Sequence, residues 1–142
     1  MRPIYENSET KAIERKIADV VCKAFGVEMV KLPMSYQIDF VVLRDGVIKS
    51  VLEVKQRDIN LTTYPTIILS MHKYMFGKKL HEEMGVPFIF VIGLKNGIFW
   101  VDLSDKKYPV ALGGRTDRGD DQDVELVIQI PTSDFKEIVA AI

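Results

Sequence analysis

Three charged residues interrupt two apolar stretches that have the length and composition of buried β-strands. Asp39 lies in the stretch IDFVVL, and Glu53 and Lys55 lie in the stretch VLEVK. Side chains alternate between the two faces of a strand, so Glu53 and Lys55 point the same way. A buried carboxylate is costly unless it is paired, hydrogen-bonded or bound to a cation. Two carboxylates and an ammonium group on neighbouring strands therefore predict a metal-assisted active site.

A turn signal between the two stretches predicts that they form a hairpin. Arg44-Asp45-Gly46 contains Asp-Gly, a pair that strongly favours the tight turn of a hairpin. The hairpin would make Asp39 and Glu53 neighbours. The three strands predicted in this region are Val27–Leu32, Tyr36–Leu43 and Val47–Gln56.

Two amphipathic helices are predicted on either side of these strands. The first is capped by Asn7 or Ser8 and ends at Gly26, because apolar residues recur between them at helical spacing. After a loop over Asp58–Pro65, the second helix is capped by Ser70 and ends at Gly85.

The last third of the chain is predicted to be rich in β-structure. It contains turn signals at Lys95-Asn96-Gly97 and in a polar loop over Gly113–Asp123, and Thr132 or Ser133 is predicted to cap a short terminal helix through Ala141. The strands predicted here are Pro87–Gly93, Ile98–Leu103, a short one near Val110, and Val124–Ile130.

Composition restricts the class of protein. A chain of 142 residues, 47% hydrophobic and 27% charged, predicts one globular domain over residues 1–142. A net charge of -1 argues against a globally basic protein that coats nucleic acid, so any contact with phosphate needs a local basic patch.

Cys22 is the only cysteine, which excludes disulfides within the chain and suits a reducing compartment. With no apolar run of membrane-spanning length, the sequence predicts a cytoplasmic protein with no membrane partner.

At these residues the chain resembles the PD-(D/E)xK nuclease superfamily. The resemblance covers about residues 9 to 93. It implies an α/β fold with a mixed α+β sheet, namely a restriction-endonuclease-like α-β-β-β-α-β core. A β-rich C-terminal extension and the short terminal helix would follow that core.

The resemblance also implies roles for individual residues. It assigns the motif aspartate to Asp39, the acidic position to Glu53 and the lysine to Lys55, while Ile38 stands where the name-giving proline would be. Similar enzymes often place a glutamate of the first helix near the metal. Glu14, which borders the apolar face of that helix, fits this position best, and Glu9 is second.

Oxygen ligands and an adjacent lysine suit a magnesium-dependent hydrolysis. Asp39, Glu53 and the backbone carbonyl of Val54 could hold Mg²⁺, with Mn²⁺ as a substitute, and leave positions for water. The metal would neutralise charge on the scissile phosphate and lower the pKa of an attacking water. Lys55 is assigned to positioning water and stabilising transition-state charge.

Further residues are candidates for contact with nucleic acid. Ser70 opens the second helix, whose free N–H groups favour an anion, and Lys73 in its first turn is predicted to face the acids or a phosphate. The remaining candidates for nucleic-acid binding, at the end of the motif strand, in the following loop and along the helix, are Gln56, Arg57, Tyr64 and Lys78.

The leading hypothesis is a Mg²⁺-dependent nuclease that cuts phosphodiester bonds in DNA, with RNA left open. A structure-selective endonuclease of the junction-resolving kind, acting as a homodimer, is favoured over an exonuclease, and a protein partner could supply specificity. One alternative is a noncatalytic domain of the same fold that binds nucleic acid or protein. Another is an unrelated α+β binding protein, which would follow if Asp39 and Glu53 lay on opposite faces of the sheet.

Overall fold

The computed structural model describes residues 8–33, 38–114 and 124–138. Its elements form a mixed α/β fold with two helices and nine strands in the described residues. In chain order they are α1 (Ser8–Phe25), β1 (Glu28–Lys31), β2 (Phe40–Arg44), β3 (Val47–Gln56), β4 (Thr66–Ser70), α2 (Met71–Met84), β5 (Phe88–Leu94), β6 (Gly97–Asp102), β7 (Val110–Gly114), β8 (Val124–Pro131) and β9 (Lys136–Glu137), with a 3₁₀ turn over Thr132–Asp134 before β9.

The strands form two sheets. The larger has the order β1-β2-β3-β5-β6-β9, and the smaller has the order β4-β8-β7. All neighbours in the larger sheet are antiparallel except β3 and β5, which run parallel because α2 lies in the connection between them. This arrangement confirms the predicted core of a helix, a three-stranded hairpin sheet, a helix and a further strand.

The turn between β2 and β3 has the backbone that its sequence predicts. Asp45 and Gly46 have φ angles of 53° and 76°, as both central residues of a type I′ turn require. The resulting register places Phe40 opposite Leu52, so Asp39 lies next to Glu53 on the adjacent strand.

The larger sheet is covered on both faces. α1 packs on one face, where Ile17 and Val21 join Leu52 and Val54 in an apolar cluster. α2 and the smaller sheet cover the other face, to which Val51 belongs. Since side chains alternate along β3, Glu53 and Lys55 share the face of Val51 and point into the layer beneath α2.

Gly77 brings α2 close to the larger sheet. A methyl group on this glycine would overlap the ring of Phe88, so only a residue without a side chain allows the observed approach. The helix and β3 are in contact, and Lys73 in the first turn of α2 lies beside Glu53 of that strand.

The strand β4 was not predicted, because the sequence was interpreted as a loop up to Pro65 and a helix cap at Ser70. In the structure Thr66–Ser70 pairs antiparallel with β8, from Thr66 opposite Pro131 to Ser70 opposite Val127. The partner strand is more than fifty residues away in sequence, so no local signal marked β4 as one member of a pair.

The predicted terminal helix is wrong. Thr132–Asp134 forms only a 3₁₀ turn, and β9 then pairs with β6. An extended backbone lets Phe135 and Ile138 reach the clusters on opposite faces of the larger sheet. In a helix, two residues three positions apart would lie on the same face. The predicted end of that helix, Ala141, lies outside the described residues, as do Asn7 and most of the loop over Gly113–Asp123.

Neither helix in the part of the chain that the structure describes is long and apolar enough to cross a membrane.

Candidate active site

Glu53 lies at the centre of the site and is completely buried. Its exposed fraction is 0%, and neither carboxylate oxygen has a hydrogen-bond partner among the described residues. Its closest partners are ammonium groups: Lys55 Nζ lies 3.4 Å from Oε2, and Lys73 Nζ lies 3.5 Å from Oε1. Charge-assisted hydrogen bonds are normally 2.7–2.9 Å long, so these contacts are ion pairs and leave both oxygens able to accept a stronger ligand.

The surroundings of Glu53 change its ionisation. Burial, and to a lesser extent the negative charge of Asp39, raise the pKa of its carboxyl group to about 7. Lys55 and Lys73 act in the opposite direction. Glu53 is therefore a carboxylate that needs more positive charge nearby before it ionises fully at neutral pH.

Asp39 is buried beside Glu53 and is held by two donors. The backbone N–H of Val54 donates to Oδ2 over 2.9 Å, and Lys31 Nζ donates to Oδ1 over 3.0 Å. The first bond ties Asp39 to the strand that carries Glu53, and the second brings in a residue from β1. The two acids are therefore neighbours, and their joint role in binding a metal stays a prediction.

The outcome for the other predicted metal ligands is mixed. Glu14 is buried, with 7% of its surface exposed, on the side of α1 that packs against the sheet. One turn further along, Ile17 packs against Gly93 near the end of β3, so Glu14 lies towards that end of the strand. Among the described residues, however, no three acidic, histidine or cysteine side chains converge on one point. The role of Glu14 and that of the Val54 carbonyl remain predictions, and the side chain of Glu9 is outside the described part.

Ser70 and Arg57 lie on a second side of the site. Ser70 precedes α2 but does not cap it with its side chain; its hydroxyl donates instead to Glu125 Oε2 over 3.2 Å. Arg57 is exposed by surface area, yet crowding by surrounding protein lowers its pKa, and the charges of Glu53 and Glu125 oppose that lowering. Glu125 of the smaller sheet thus lies at the edge of the acidic site.

The remaining nucleic-acid candidates are placed differently from one another. Gln56 is exposed at the end of β3, and Tyr64 is 59% exposed in the loop before β4. Lys78 already has partners, because its ammonium group donates to the carbonyl of Ser104 and lies 5.8 Å from the centre of the Tyr74 ring. Of these three, Lys78 is the least available for a phosphate.

Two residues of the site were missed from the sequence. Lys31 precedes Asp39 by eight residues and reaches it only through the pairing of β1 with β2, which sets Lys31 opposite Phe40. Aligning the two predicted strands as a hairpin could have suggested this contact. Glu125 had no such signal, because it depends on how the smaller sheet packs against the start of α2.

The donor set fits a divalent cation. Both oxygens of Glu53 are buried without a hydrogen bond among the described residues, and a second buried carboxylate lies next to it. Carboxylate oxygens are the ligands that Mg²⁺ and Mn²⁺ prefer, and a cation there would relieve the electrostatic cost of ionising Glu53 beside Asp39. Asp39 and Glu53 are the residues that would hold it.

Comparisons with known proteins show the family and the fold. Residues 1–138 match the model of a family described as "Phage putative PDDEXK endonuclease". The structure is similar to that of Hjc, a Holliday junction resolvase from the archaeal hyperthermophile Archaeoglobus fulgidus, with a TM-score of 0.62 and 16% identity over 92% of this chain and 93% of that one. A search of curated proteins finds no match. At 16% identity, the structural likeness shows a shared resolvase-like fold.

Proposed function

Because the chain belongs to this family of phage PDDEXK endonucleases, we propose that it is a Mg²⁺-dependent endonuclease that hydrolyses phosphodiester bonds in branched DNA. The observation that carries the proposal is the environment of Glu53, whose two oxygens are buried without a hydrogen bond among the described residues, beside the ammonium groups of two lysines and a second carboxylate. A group in that environment has a function that packing alone does not explain.

The protein's own residues divide the work between binding and orientation. Asp39, just before β2, and Glu53, on β3, present oxygen ligands side by side, and the Val54 N–H keeps Asp39 in place. A divalent cation bound there supplies positive charge to a reacting phosphate and makes water a stronger nucleophile. Lys55 points from β3 into the same layer, where its ammonium group can orient water and stabilise negative charge that develops on the phosphate.

The charge balance of the site favours a phosphodiester substrate. Three lysine ammonium groups, from Lys31, Lys55 and Lys73, lie within 3.5 Å of the oxygens of Asp39 and Glu53. With all five groups ionised, three positive charges face two negative ones, which leaves one positive charge before any cation binds. The site therefore attracts an anionic substrate although the whole chain has a net charge of -1.

Branched DNA is the substrate class that we propose, because the chain shares its fold with a Holliday junction resolvase. Resolution of a junction needs two cuts, so we also propose that two copies of the chain act together.

A cleavage panel tests the proposed function. Purified protein is incubated with single-stranded, duplex and four-way-junction DNA in Mg²⁺, in Mn²⁺ and in EDTA, and products are followed on denaturing gels. We expect metal-dependent cuts in the junction and little cleavage of the linear duplex. Junction binding without cleavage in either metal would instead favour the noncatalytic domain, and equal cleavage of all three substrates would contradict selectivity for branches.

Lys73 is expected to contribute more than other lysines of α2. Lys73→Met should slow junction cleavage by roughly tenfold or more, because Lys73 lies beside the buried acid and would donate a hydrogen bond to the charged phosphate there, and such bonds contribute about 1.5–3 kcal/mol. Rates are measured in single turnover at saturating protein. The matched control is Lys79→Met, which removes an exposed lysine from the same helix. Equal effects of the two substitutions would make Lys73 one member of a diffuse basic surface.

A further inference from the structure

Lys31 has a position that the proposed chemistry does not require. Its Nζ lies 3.0 Å from Asp39 Oδ1, while the other oxygen of Asp39 accepts the N–H of Val54. Each oxygen of this ligand thus already has a donor within the protein. The Val54 donor is a backbone group fixed in a strand, whereas the lysine donor is at the end of a flexible side chain.

A cation and Lys31 would compete for the same oxygen. A metal ion that takes Oδ1 must lie about 2.0–2.1 Å from it, and an ammonium group at 3.0 Å on that oxygen would then be repelled by the metal. Asp39 is buried, with 10% of its side chain exposed, so without the lysine its charge would be poorly compensated in the absence of metal.

The lysine has a second place to go. Its side chain is 35% exposed, and Nζ also lies 5.2 Å from the centre of the Phe40 ring, directly opposite on β2. The ring can retain the ammonium group by a cation–π contact after Asp39 is lost as a partner. The displaced charge would then remain close to Asp39, from where it could reach a phosphate of bound DNA.

We infer that Lys31 is an internal counter-ion of the metal site: it neutralises Asp39 in the metal-free protein, is displaced when a divalent cation binds, and then contacts a DNA phosphate. This inference rests on the proposed function. It makes metal binding weaker than the two carboxylates alone would give, and it couples metal binding to an additional phosphate contact. Lys31 is therefore a positioning residue: it pairs with Asp39 in the metal-free protein and moves away from it when a cation binds.

Metal affinity measured without DNA tests the competition directly. Mn²⁺ is titrated into the wild type and into Lys31→Met by calorimetry at constant pH. We expect the dissociation constant to fall about fivefold in Lys31→Met, equivalent to about 1 kcal/mol, the upper value for a partly exposed ion pair. Lys31→Arg keeps the charge and should leave the affinity near that of the wild type.

The matched control is Lys49→Met on β3. Lys49 is an exposed lysine of the same sheet, about 13 Å along the strand from Glu53, so its removal changes net charge equally without touching Asp39. An equal gain in affinity for Lys31→Met and Lys49→Met would reduce the effect to net charge and overturn the inference. Unchanged or weaker Mn²⁺ binding in Lys31→Met would overturn it as well, by showing that the lysine holds Asp39 in place.

DNA binding tests whether Lys31 contacts a phosphate after a cation has displaced it from Asp39. In saturating Ca²⁺, used as a non-cleaving probe, the slope of log affinity against log salt should be smaller by about 0.7–0.9 in Lys31→Met, and in EDTA the slope should be unchanged. If Lys31→Met and the wild type have the same slope in Ca²⁺ as well as in EDTA, a metal-coupled phosphate contact is contradicted.

The wild type itself separates this inference from the proposed function. If the wild type binds Mn²⁺ and cuts DNA while the effects of Lys31→Met are missing, only the inference fails. If the wild type binds no Mn²⁺, both the inference and the proposed function fail.

Thermal unfolding shows whether Lys31→Met has a packing defect that could account for its other effects. Lys31→Met should melt at a lower temperature than the wild type in EDTA, and the difference should disappear in saturating Mn²⁺, since the cation then neutralises Asp39. A deficit of equal size in both conditions would show a packing defect and overturn the assignment.

Discussion

Glu53→Gln is expected to abolish metal-dependent cleavage, with a rate at least about 10²–10³-fold below that of the wild type, as observed when one preorganised electrostatic group is removed from an active site. Glutamine keeps the size of the side chain but supplies no negative charge for a cation. Asp39→Asn should have a similar effect. The rates are measured in single turnover with junction DNA and Mg²⁺, and circular dichroism verifies the fold.

The matched control for this first prediction is Glu83→Gln. Glu83 is an exposed glutamate near the end of α2, so its substitution makes the same chemical change away from the buried acids. Its rate should equal that of the wild type. Wild-type cleavage by Glu53→Gln would remove Glu53 from the active site, whatever the behaviour of the control.

The second large effect is a dependence of stability on pH that originates at Glu53. Burial, with the charge of Asp39 added, raises its pKa from 4.5 to about 7 in the folded protein. The fold therefore favours the protonated form. This contribution to stability is complete below pH 4.5 and is lost as the pH rises through about 7, since the unfolded chain ionises first. At 1.36 kcal/mol for each pH unit between the two values, the loss is roughly 3 kcal/mol.

Urea unfolding in EDTA at intervals from pH 5 to pH 8.5 measures this loss. Glu53→Gln cannot ionise at this position, so its free energy of unfolding should change less over the same range and exceed that of the wild type at pH 8. Saturating Mg²⁺ should raise the stability of the wild type at pH 8 and have little effect on the variant. Parallel pH profiles for the two proteins would show that Glu53 is not ionising in this range.

Much of the fold follows from local patterns in the sequence. The Asp-Gly turn specifies the hairpin of β2 and β3, because its two central residues adopt the positive φ angles that such a turn needs. Apolar residues at helical spacing specify α1, and alternation along β3 puts Glu53 and Lys55 on one face. These features depend on neighbours within a few residues, so the sequence can predict them.

Other features depend on distant partners. β4 exists because β8 pairs with it, and β9 is extended because Phe135 and Ile138 must reach opposite faces of the larger sheet. The sequence of these segments is compatible with other local structures, including the terminal helix that was predicted. Long-range pairing decided between them.

The sequence by itself determined the chemical groups of the site: Asp39 and Glu53 on adjacent strands, with Lys55 two residues beyond Glu53. Only the tertiary structure decided their environment. Packing of α2 leaves Glu53 with buried oxygens and raises its pKa, while the pairing of β1 brings Lys31 onto Asp39. Residue types and spacing specify which charged groups can meet along a hairpin. Burial and the approach of a third strand result from the packing of the whole fold, and they determine how readily each group ionises and which partner it has.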